Sequence, residues 1–310
     1  MDKFLENISL ADFTTYRIGG PAKYFFIAKT KEELVEALKA AKEVRLPTFI
    51  LGGGSNVLFS DKGFNGLVIK IQLTGYKVEE NKIYTNAGTV LMEVAYAACD
   101  KGFTGLEWAA GLPGTAGGAI FGHAQAFGAR ISDSVKSVEA LNLKTLETKN
   151  FTREECQFTL KNSIFKKTGK WVIISAVLEL KSGNTEEINT KVKEFLEYRK
   201  TKHPIDFPSA GSTFVNPEVK IKNKAILIKY PELKDYNEKG TIPAGYLIAK
   251  CGLSGKQIGG AQISEKHCNF IINTGGATAK DVLALIKLVR QKVKTIFKID
   301  LEPEVRIIAY

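Results

Sequence analysis

An α+β fold is predicted for this 310-residue chain, on three observations. A compact β-α-β pattern spans Lys23 to Leu51. Further strand patterns and amphipathic helices follow, with no internal repeat. Two glycine-rich stretches, Leu51 to Val57 and Gly105 to Ala119, interrupt the regular elements of the N-terminal half. Mixed elements of this kind pack as α+β layers around separate cores.

Asp12 to Pro21 is rich in turn residues, and Lys23 to Ala28 then reads as a strand. Thr30 with Glu33 is a capping box, and the helix it opens places Leu34, Val35, Leu38 and Ala41 on one face. Leu46-Pro47 ends that segment; Thr48 to Leu51 is the next strand and Leu67 to Ile71 a short one. Lys82 to Gly88 is a strand, after which Thr89 is expected to cap a helix bearing Val90, Leu91, Val94, Ala95 and Ala98. Gly102 is its stop. Gly105 to Ala119 holds five glycines and a proline in fifteen residues, which predicts neither regular helix nor strand. Strands return at Val138 to Leu143 and Leu146 to Phe151, Thr152 with Glu155 caps a helical turn, and Trp171 to Leu180 is a buried strand.

Ser182-Gly-Asn-Thr185 is the predicted linker. Asn184 caps a helix with Ile188, Val192, Phe195 and Leu196 on one face. Lys202 to Pro217 is irregular, and Pro243 opens a short helix ending at Cys251-Gly252. Thr278 caps a long helix bearing Val282, Ile286, Val289, Val293 and Ile296. Strands at Asn269 to Asn273 and Glu304 to Ile308 flank it. The linker thus separates two N-terminal subdomains from one C-terminal domain.

With 44% apolar and 25% charged residues the composition is that of a soluble globular protein. Met1 to Glu6 is charged and lacks a following apolar core, so no signal peptide is expected. The most apolar stretch, Trp171 to Leu178, falls far below the roughly 18–20 residues that span a bilayer. Cys99, Cys156, Cys251 and Cys268 form no CxxC pair and no metal-type spacing. They read as small core residues of a reduced cytosolic protein, and no metal site is expected. The net charge of +11 is spread along the chain, densest on the helical patterns Lys191 to Lys202 and Lys287 to Lys298. These read either as solvated helix faces or as a field that favours acidic small molecules such as sugar nucleotides. No nucleic-acid signature is present, so no nucleic-acid partner is expected.

The loop after Leu51 is Gly52-Gly-Gly-Ser-Asn56. Glycines let backbone N–H groups converge on a ligand, and Ser55 and Asn56 add short polar side chains. This suits a nucleotide diphosphate. No Gly-Lys-Ser/Thr follows, which excludes a Walker A loop, and a Rossmann fingerprint would need Gly or Ala at Val57. A plain tight turn is compatible with the triplet alone; the second glycine stretch points to an extended diphosphate cradle.

Leu51-Gly-Gly-Gly-Ser-Asn-Val-Leu58, with Gly63-Phe-Asn-Gly66, resembles the first flavin-binding segment of the vanillyl-alcohol-oxidase-like (PCMH) FAD fold. Gly105 to Ala119 resembles the second. Thr15-Tyr-Arg-Ile-Gly-Gly-Pro21, Ala210-Gly-Ser-Thr-Phe-Val-Asn-Pro217, Lys256-Gln-Ile-Gly-Gly-Ala261 and Pro303-Glu-Val-Arg306 narrow the likeness. In this order they resemble the UDP-N-acetylenolpyruvoylglucosamine reductase (MurB) family over nearly the whole chain. The absence of a long insertion between Leu180 and the Lys191–Lys202 helix is similar to the shorter type II branch, without the closing loop of type I.

The resemblance implies a two-subdomain PCMH-type FAD-binding region, 1–75 and 76–183, followed by a C-terminal α+β substrate-binding domain, 184–310. It implies an FAD-containing oxidoreductase that uses NADPH to reduce UDP-GlcNAc-enolpyruvate to UDP-N-acetylmuramate for peptidoglycan, and so serves cell-wall biogenesis, shape and division. A cytoplasmic monomer with no membrane partner is expected. Implied cofactor contacts are Leu51, Gly52, Gly53, Gly54, Ser55 and Asn56, and Gly111, Pro113, Gly114, Thr115, Gly117 and Gly118. Lys202, Asn216 and Gln257 match positions that bind the UDP-sugar, while Arg199 and Arg306 are cations without an assigned role.

Three catalytic positions are implied. Ser212 matches the family's proton donor to C2 of the enolpyruvyl group. Glu304, preferred by the pattern over Glu302, matches its glutamate; a substrate carboxylate beside it would favour the protonated, donating form. The third is an arginine in Tyr-Arg-x-Ser-x-Phe-Lys, which here reads Leu160-Lys-Asn-Ser-Ile-Phe-Lys166, so Lys161 stands in its place. Lysine keeps the charge and loses the planar fork. His123-Ala-Gln-Ala126 also departs, from Asn-Ala-Gly-Ala, and His123 is expected as a polar packing group rather than a base. The departure at 160–161 leaves room for a flavin- or sugar-nucleotide-binding homologue with impaired catalysis. A PCMH-type oxidase is the other alternative, opposed by the lack of a covalent flavin-attachment context.

Overall fold

A computed structural model of the chain describes residues 3–308. Met1, Asp2, Ala309 and Tyr310, at the outer ends of the first and last expected domains, lie outside the described residues. Helices and strands are both present and partly segregated, with five strands in succession from Thr48–Leu51 to Lys82–Asn86 and three helices in succession from Lys224–Lys229 to Ala244–Lys250, as in an α+β fold. The chain forms two compact units: one takes residues up to Ile8, Ala22–Gly54 and Phe64–Thr201, the other Ser9–Pro21, Ser55–Gly63 and the residues from Lys202 onward.

The first unit carries two sheets. Strands Leu5–Ser9, Pro21–Ala28, Phe64–Ile71 and Thr48–Leu51 lie side by side in that order. Phe64–Ile71 runs parallel to both its neighbours, with Leu51 opposite Lys70. The helix Lys31–Glu43 supplies the crossover of the expected β-α-β unit, and both capping-box bonds between Thr30 and Glu33 are made. Its buried Leu34, Leu38 and Ala41 share a core with Leu67, Ile69 and Ile71. The second sheet is antiparallel, in the order Thr148–Thr152, Val135–Asn142, Trp171–Glu179, Lys82–Asn86, Tyr76–Glu79.

Two sequence expectations are corrected here. Thr89 does not cap the helix Leu91–Asp100. Its hydroxyl donates to Gly75 O instead, and the Leu91 N–H is satisfied by Gly114 O, so a distant chain segment does the capping. The second glycine stretch also contains a helix, Ala116–Gly122, with Thr115 as its cap. Glycine is a poor helix former, but a Cβ on Gly117 would stand 2.7 Å from Ala87 Cβ. Close packing against Ala87 outweighs propensity.

In the second unit, Ser209–Ser212, Phe270–Asn273, Ala261–Ile263 and Gln257–Ile258 form an antiparallel sheet. The helix Ala279–Phe297 buries Val282, Leu285, Ile286, Val289 and Val293 in the same core as Ala261, Ile263 and Ile271. Thr278 and Asp281 make a full capping box at its start, and the Asp61 carboxylate accepts the Ala279 and Lys280 N–H groups at 2.7 and 3.0 Å. Arg306–Ile308 pairs in parallel with Val57–Phe59, a ladder with no local sequence signal. The helices Lys224–Lys229 and Leu233–Lys239 were also absent from the sequence expectations.

Cys99 and Cys156 are buried, with burial pushing their thiols up to about 11 and about 12, whereas Cys251 and Cys268 are only half-buried. Among the described residues no helix is long and apolar enough to cross a membrane.

The long helix sets a stability test. Leu285 is fully buried, while Leu283 is 36% exposed. Leu285→Ala is expected to cost about 2–5 kcal/mol in urea unfolding and Leu283→Ala less than about 0.5 kcal/mol.

Candidate active site

In the first unit the two glycine loops touch backbone to backbone. Leu51 is buried at the end of its strand, with Gly52 and Gly53 half-buried beyond it. A Cβ on Gly53 would lie 2.7 Å from Gly114 Cα, so only glycine permits this approach. One on Gly52 would lie 3.1 Å from Thr115 Oγ1. Thr115 Oγ1 accepts the Gly118 N–H at 3.2 Å, and the Gly117 N–H donates to Ala87 O at 2.9 Å. Gly111 and Gly114 have φ of +73° and +121°, and Pro113 is exposed between them. The contact leaves no room for a side chain where the loops meet; glycine loops of this kind can present backbone N–H groups to a diphosphate along their free edge.

A cation is anchored on each loop. Lys70 Nζ donates to Gly52 O. Arg199 is buried, its Nε donating to Ala110 O at 3.0 Å and its terminal NH2 to Trp108 O at 2.9 Å. The Phe127 ring lies 5.0 Å from its guanidinium carbon. Sequence reasoning gave neither residue a place in the site. The available signal for Lys70 was a lysine inside the apolar strand Leu67-Val-Ile-Lys-Ile71.

His123 ends the helix Ala116–Gly122 with φ of +48°, a left-handed conformation that His and Asn tolerate better than most residues. The ring is buried; Nδ1 meets Thr159 O and Nε2 meets Ser132 Oγ at 2.8 Å. Both ring nitrogens are thus engaged by protein groups, an arrangement compatible with polar packing. Lys161 is half-buried in the tight turn bridging Thr159 and Asn162, with φ of +54°. Its carbonyl accepts from Lys166 Nζ at 2.9 Å, and the neighbouring Ser163 hydroxyl donates to Phe121 O at 2.7 Å.

In the second unit the segment that follows Ser212 pairs through its backbone with the segment that carries Glu304. Ser212 ends the strand Ser209–Ser212, beside Phe270. The chain after it runs antiparallel to Glu302–Glu304, with Phe214 bridged to Pro303. The Glu304 N–H donates to Thr213 O at 2.8 Å, and the Val215 N–H to Glu302 O at 2.9 Å. Asn269, buried, grips the same segment. Its Oδ1 accepts the Phe214 N–H at 3.0 Å, its Nδ2 donates to Phe214 O at 2.9 Å, and its carbonyl accepts the Thr213 N–H at 2.7 Å. Asn269 was missed because a single Asn at a strand start carries no motif.

Asn56 joins this arrangement. It is exposed, its Nδ2 donates to Glu304 O at 3.3 Å, and its carbonyl accepts the Arg306 N–H at 3.1 Å. Ser55 beside it is half-buried, and Gly54 is buried with φ of +68°.

A cavity of about 470 Å³ in the second unit is walled by Ser212 and Asn216 together with Tyr246, Lys266, His267 and Cys268. Asn216 Oδ1 accepts the Ala244 N–H at 2.9 Å, which fixes the carboxamide and leaves its Nδ2 as the available donor. Lys202, exposed near the end of the helix Thr185–Lys202, lies outside these walls. So does Gln257, whose Nε2 donates to Gly259 O at 2.9 Å.

Burial holds His123 below the ordinary imidazole value of 6.5; the Thr159 carbonyl opposes that shift and the charge of Arg130 adds to it. Well above pH 6.5 both the folded and the unfolded imidazole are largely deprotonated, and the shift has little effect on stability. As pH falls below 6.5 the unfolded chain gains a proton that the folded chain resists, so stability drops until the folded pKa is passed. His123→Asn, which tolerates the same backbone angle, is expected to lose less stability than the parent between pH 7 and 5, read as urea midpoints. Parallel losses in the two proteins would contradict this.

The C-terminal domain model of UDP-N-acetylenolpyruvoylglucosamine reductase matches residues 203–308, and an FAD-binding domain model matches residues 22–145. A UDP-N-acetylenolpyruvoylglucosamine reductase of Lachnoclostridium phytofermentans is 41% identical, over 97% of this chain and 92% of that protein. One from Caldanaerobacter subterraneus subsp. tengcongensis is 38% identical, over 99% and 94%. The crystal structure of the Thermus caldophilus reductase superposes with a TM-score of 0.79 at 30% identity, covering 99% of this chain and 100% of that one. With a PCMH-type FAD-binding region followed by this C-terminal domain, the chain belongs to the UDP-N-acetylenolpyruvoylglucosamine reductase family.

Proposed function

We propose that this protein uses NADPH and FAD to reduce UDP-N-acetylglucosamine enolpyruvate to UDP-N-acetylmuramate in cytoplasmic peptidoglycan precursor synthesis. The observation that carries this reading is the backbone pairing that sets Glu304 beside Thr213, next to Ser212 on the wall of the 470 Å³ cavity. Residues 1–75 and 76–183 serve the cofactor and 184–310 the substrate.

The glycine loops around Gly53 and Gly114 hold FAD, with Leu51, Gly52, Gly54, Ser55 and Asn56 on one side and Gly111, Pro113, Thr115, Gly117 and Gly118 on the other. Bound there, FAD would supply the hydride chemistry that links NADPH to C3 of the enolpyruvyl group. Negative charge then spreads through C2 onto the substrate carboxylate. Glu304 is the carboxyl group that faces this charge in the proposed reaction, and Lys161 contributes a positive charge. The Ser212 hydroxyl gives its proton to C2. The Asn216 Nδ2, Lys202 and Gln257 bind the UDP-sugar, whose diphosphate suits cationic and amide donors.

A serine donor acts only in the second half of such a reaction. Ser212→Ala is expected to be bleached by NADPH at the parental rate, while anaerobic reoxidation by the enolpyruvyl substrate slows by about 10²–10⁴-fold. A parent enzyme that bleaches with NADPH yet is never reoxidised by this substrate would overturn the assignment.

A second reading, a binding protein with impaired catalysis, rests on Lys161 in place of arginine. Lys161→Met is expected to slow reoxidation at least about tenfold, the loss of one charge-assisted bond, while Lys161→Arg retains or exceeds the parental rate. A parent that barely turns over and a Lys161→Arg variant that turns over rapidly would favour the second reading.

A further inference from the structure

We propose that Lys70 is a cofactor-binding residue whose ammonium, anchored on the Gly52 carbonyl, takes a diphosphate oxygen of FAD. The proposal rests on the reading of the glycine loops as a diphosphate cradle and adds a residue that no motif assigns.

Position comes first. Lys70 lies on the central strand Phe64–Ile71, opposite Leu51 on one side and Ile27 on the other. Alternation puts Leu67, Ile69 and Ile71 on the core face of the sheet with helix Lys31–Glu43, and sends Lys70 to the other face with Val68. Leu51 is the last strand residue before the triplet, so Lys70 stands at the root of the glycine loop.

Chemistry comes second. An ammonium has three donors. Among the described residues, Lys70 makes its hydrogen bond to Gly52 O, and no carboxylate pairs with it. The side chain is half-buried, and burial depresses its ammonium below the ordinary lysine value. A partly desolvated cation with one neutral partner is under-compensated. An anionic oxygen would meet the remaining donors and oppose that depression.

Arg199 marks the contrast. Its guanidinium is shared between two carbonyls and the face of Phe127. Lys70 has a single carbonyl, and that carbonyl belongs to the first residue of the triplet. The bond also fixes the Gly52 peptide, leaving the loop pre-organised before a ligand arrives.

FAD carries the diphosphate and riboflavin does not, so the two separate the proposal from a structural role. Apoprotein is titrated with each, following flavin fluorescence, for the parent, Lys70→Met and Lys70→Arg. The parent is expected to prefer FAD. Lys70→Met is expected to weaken FAD about ten- to hundredfold, the range of one charge-assisted bond, and riboflavin less than about twofold. Lys70→Arg, which retains the charge, recovers most of the FAD affinity. Urea midpoints check that Lys70→Met and Lys70→Arg remain folded. Equal weakening of FAD and riboflavin, or unchanged FAD affinity in Lys70→Met, overturns the role of Lys70. A parent that binds both flavins alike overturns the cradle itself.

Discussion

Asn269 is almost wholly out of water, and its carboxamide is spent on both polar groups of one peptide residue, Phe214. A buried amide left unpaired would cost about 1–3 kcal/mol, so this pair of hydrogen bonds is strongly held. The segment it grips is short, irregular and glycine-bearing; Gly211, with φ of +74°, precedes Ser212. Left alone such a stretch would sample many conformations. Asn269 fixes one edge of it and Glu302–Glu304 the other. The rest of the second unit serves this clasp: the sheet supplies Phe270 beside Ser212, and the long helix supplies the core beneath the sheet.

Backbone also does the work at the glycine loops, by subtraction. The two loops approach so closely at Gly53 and Gly114 that no side chain fits between them. Positive charge enters from behind, on Lys70 and Arg199, and each is tethered to main-chain carbonyls rather than to an acid. A carboxylate in either place would cancel the field that an anionic ligand meets; a carbonyl leaves it standing. The exposed ion pairs of this chain, such as Lys3 with Glu36 and Arg290 with Asp300, are of the surface type that contributes little.

Local features were legible in the sequence and long-range ones were not. Thr30, Asn184 and Thr278 were readable as caps because each bonds within three residues. Thr89 had the same appearance, yet its hydroxyl answers to Gly75 and its helix to Gly114. The helix Ala116–Gly122 contradicts glycine propensity because packing on Ala87 demands the missing Cβ. At the site, Ser212 and Glu304 were each visible inside a motif. The pairing of the two segments was not, since it depends on a bridge between Phe214 and Pro303. Lys70 and Asn269 stood outside every motif; what marks them is burial and partners, which only the fold reveals.

Asn56 and Glu304 are 248 residues apart and share a hydrogen bond, and the strands that follow each of them form one parallel ladder. During synthesis, Val57–Phe59 emerges early and waits for nearly the whole chain before its partner exists. Closing so large a loop carries an entropic penalty that only late, cooperative packing repays. The second unit therefore cannot mature segment by segment behind the ribosome, even though most of the first can. Apolar Val57, Leu58 and Phe59 must be shielded in the meantime, which makes the nascent chain, more than the finished protein, the state most exposed to aggregation and to chaperone capture.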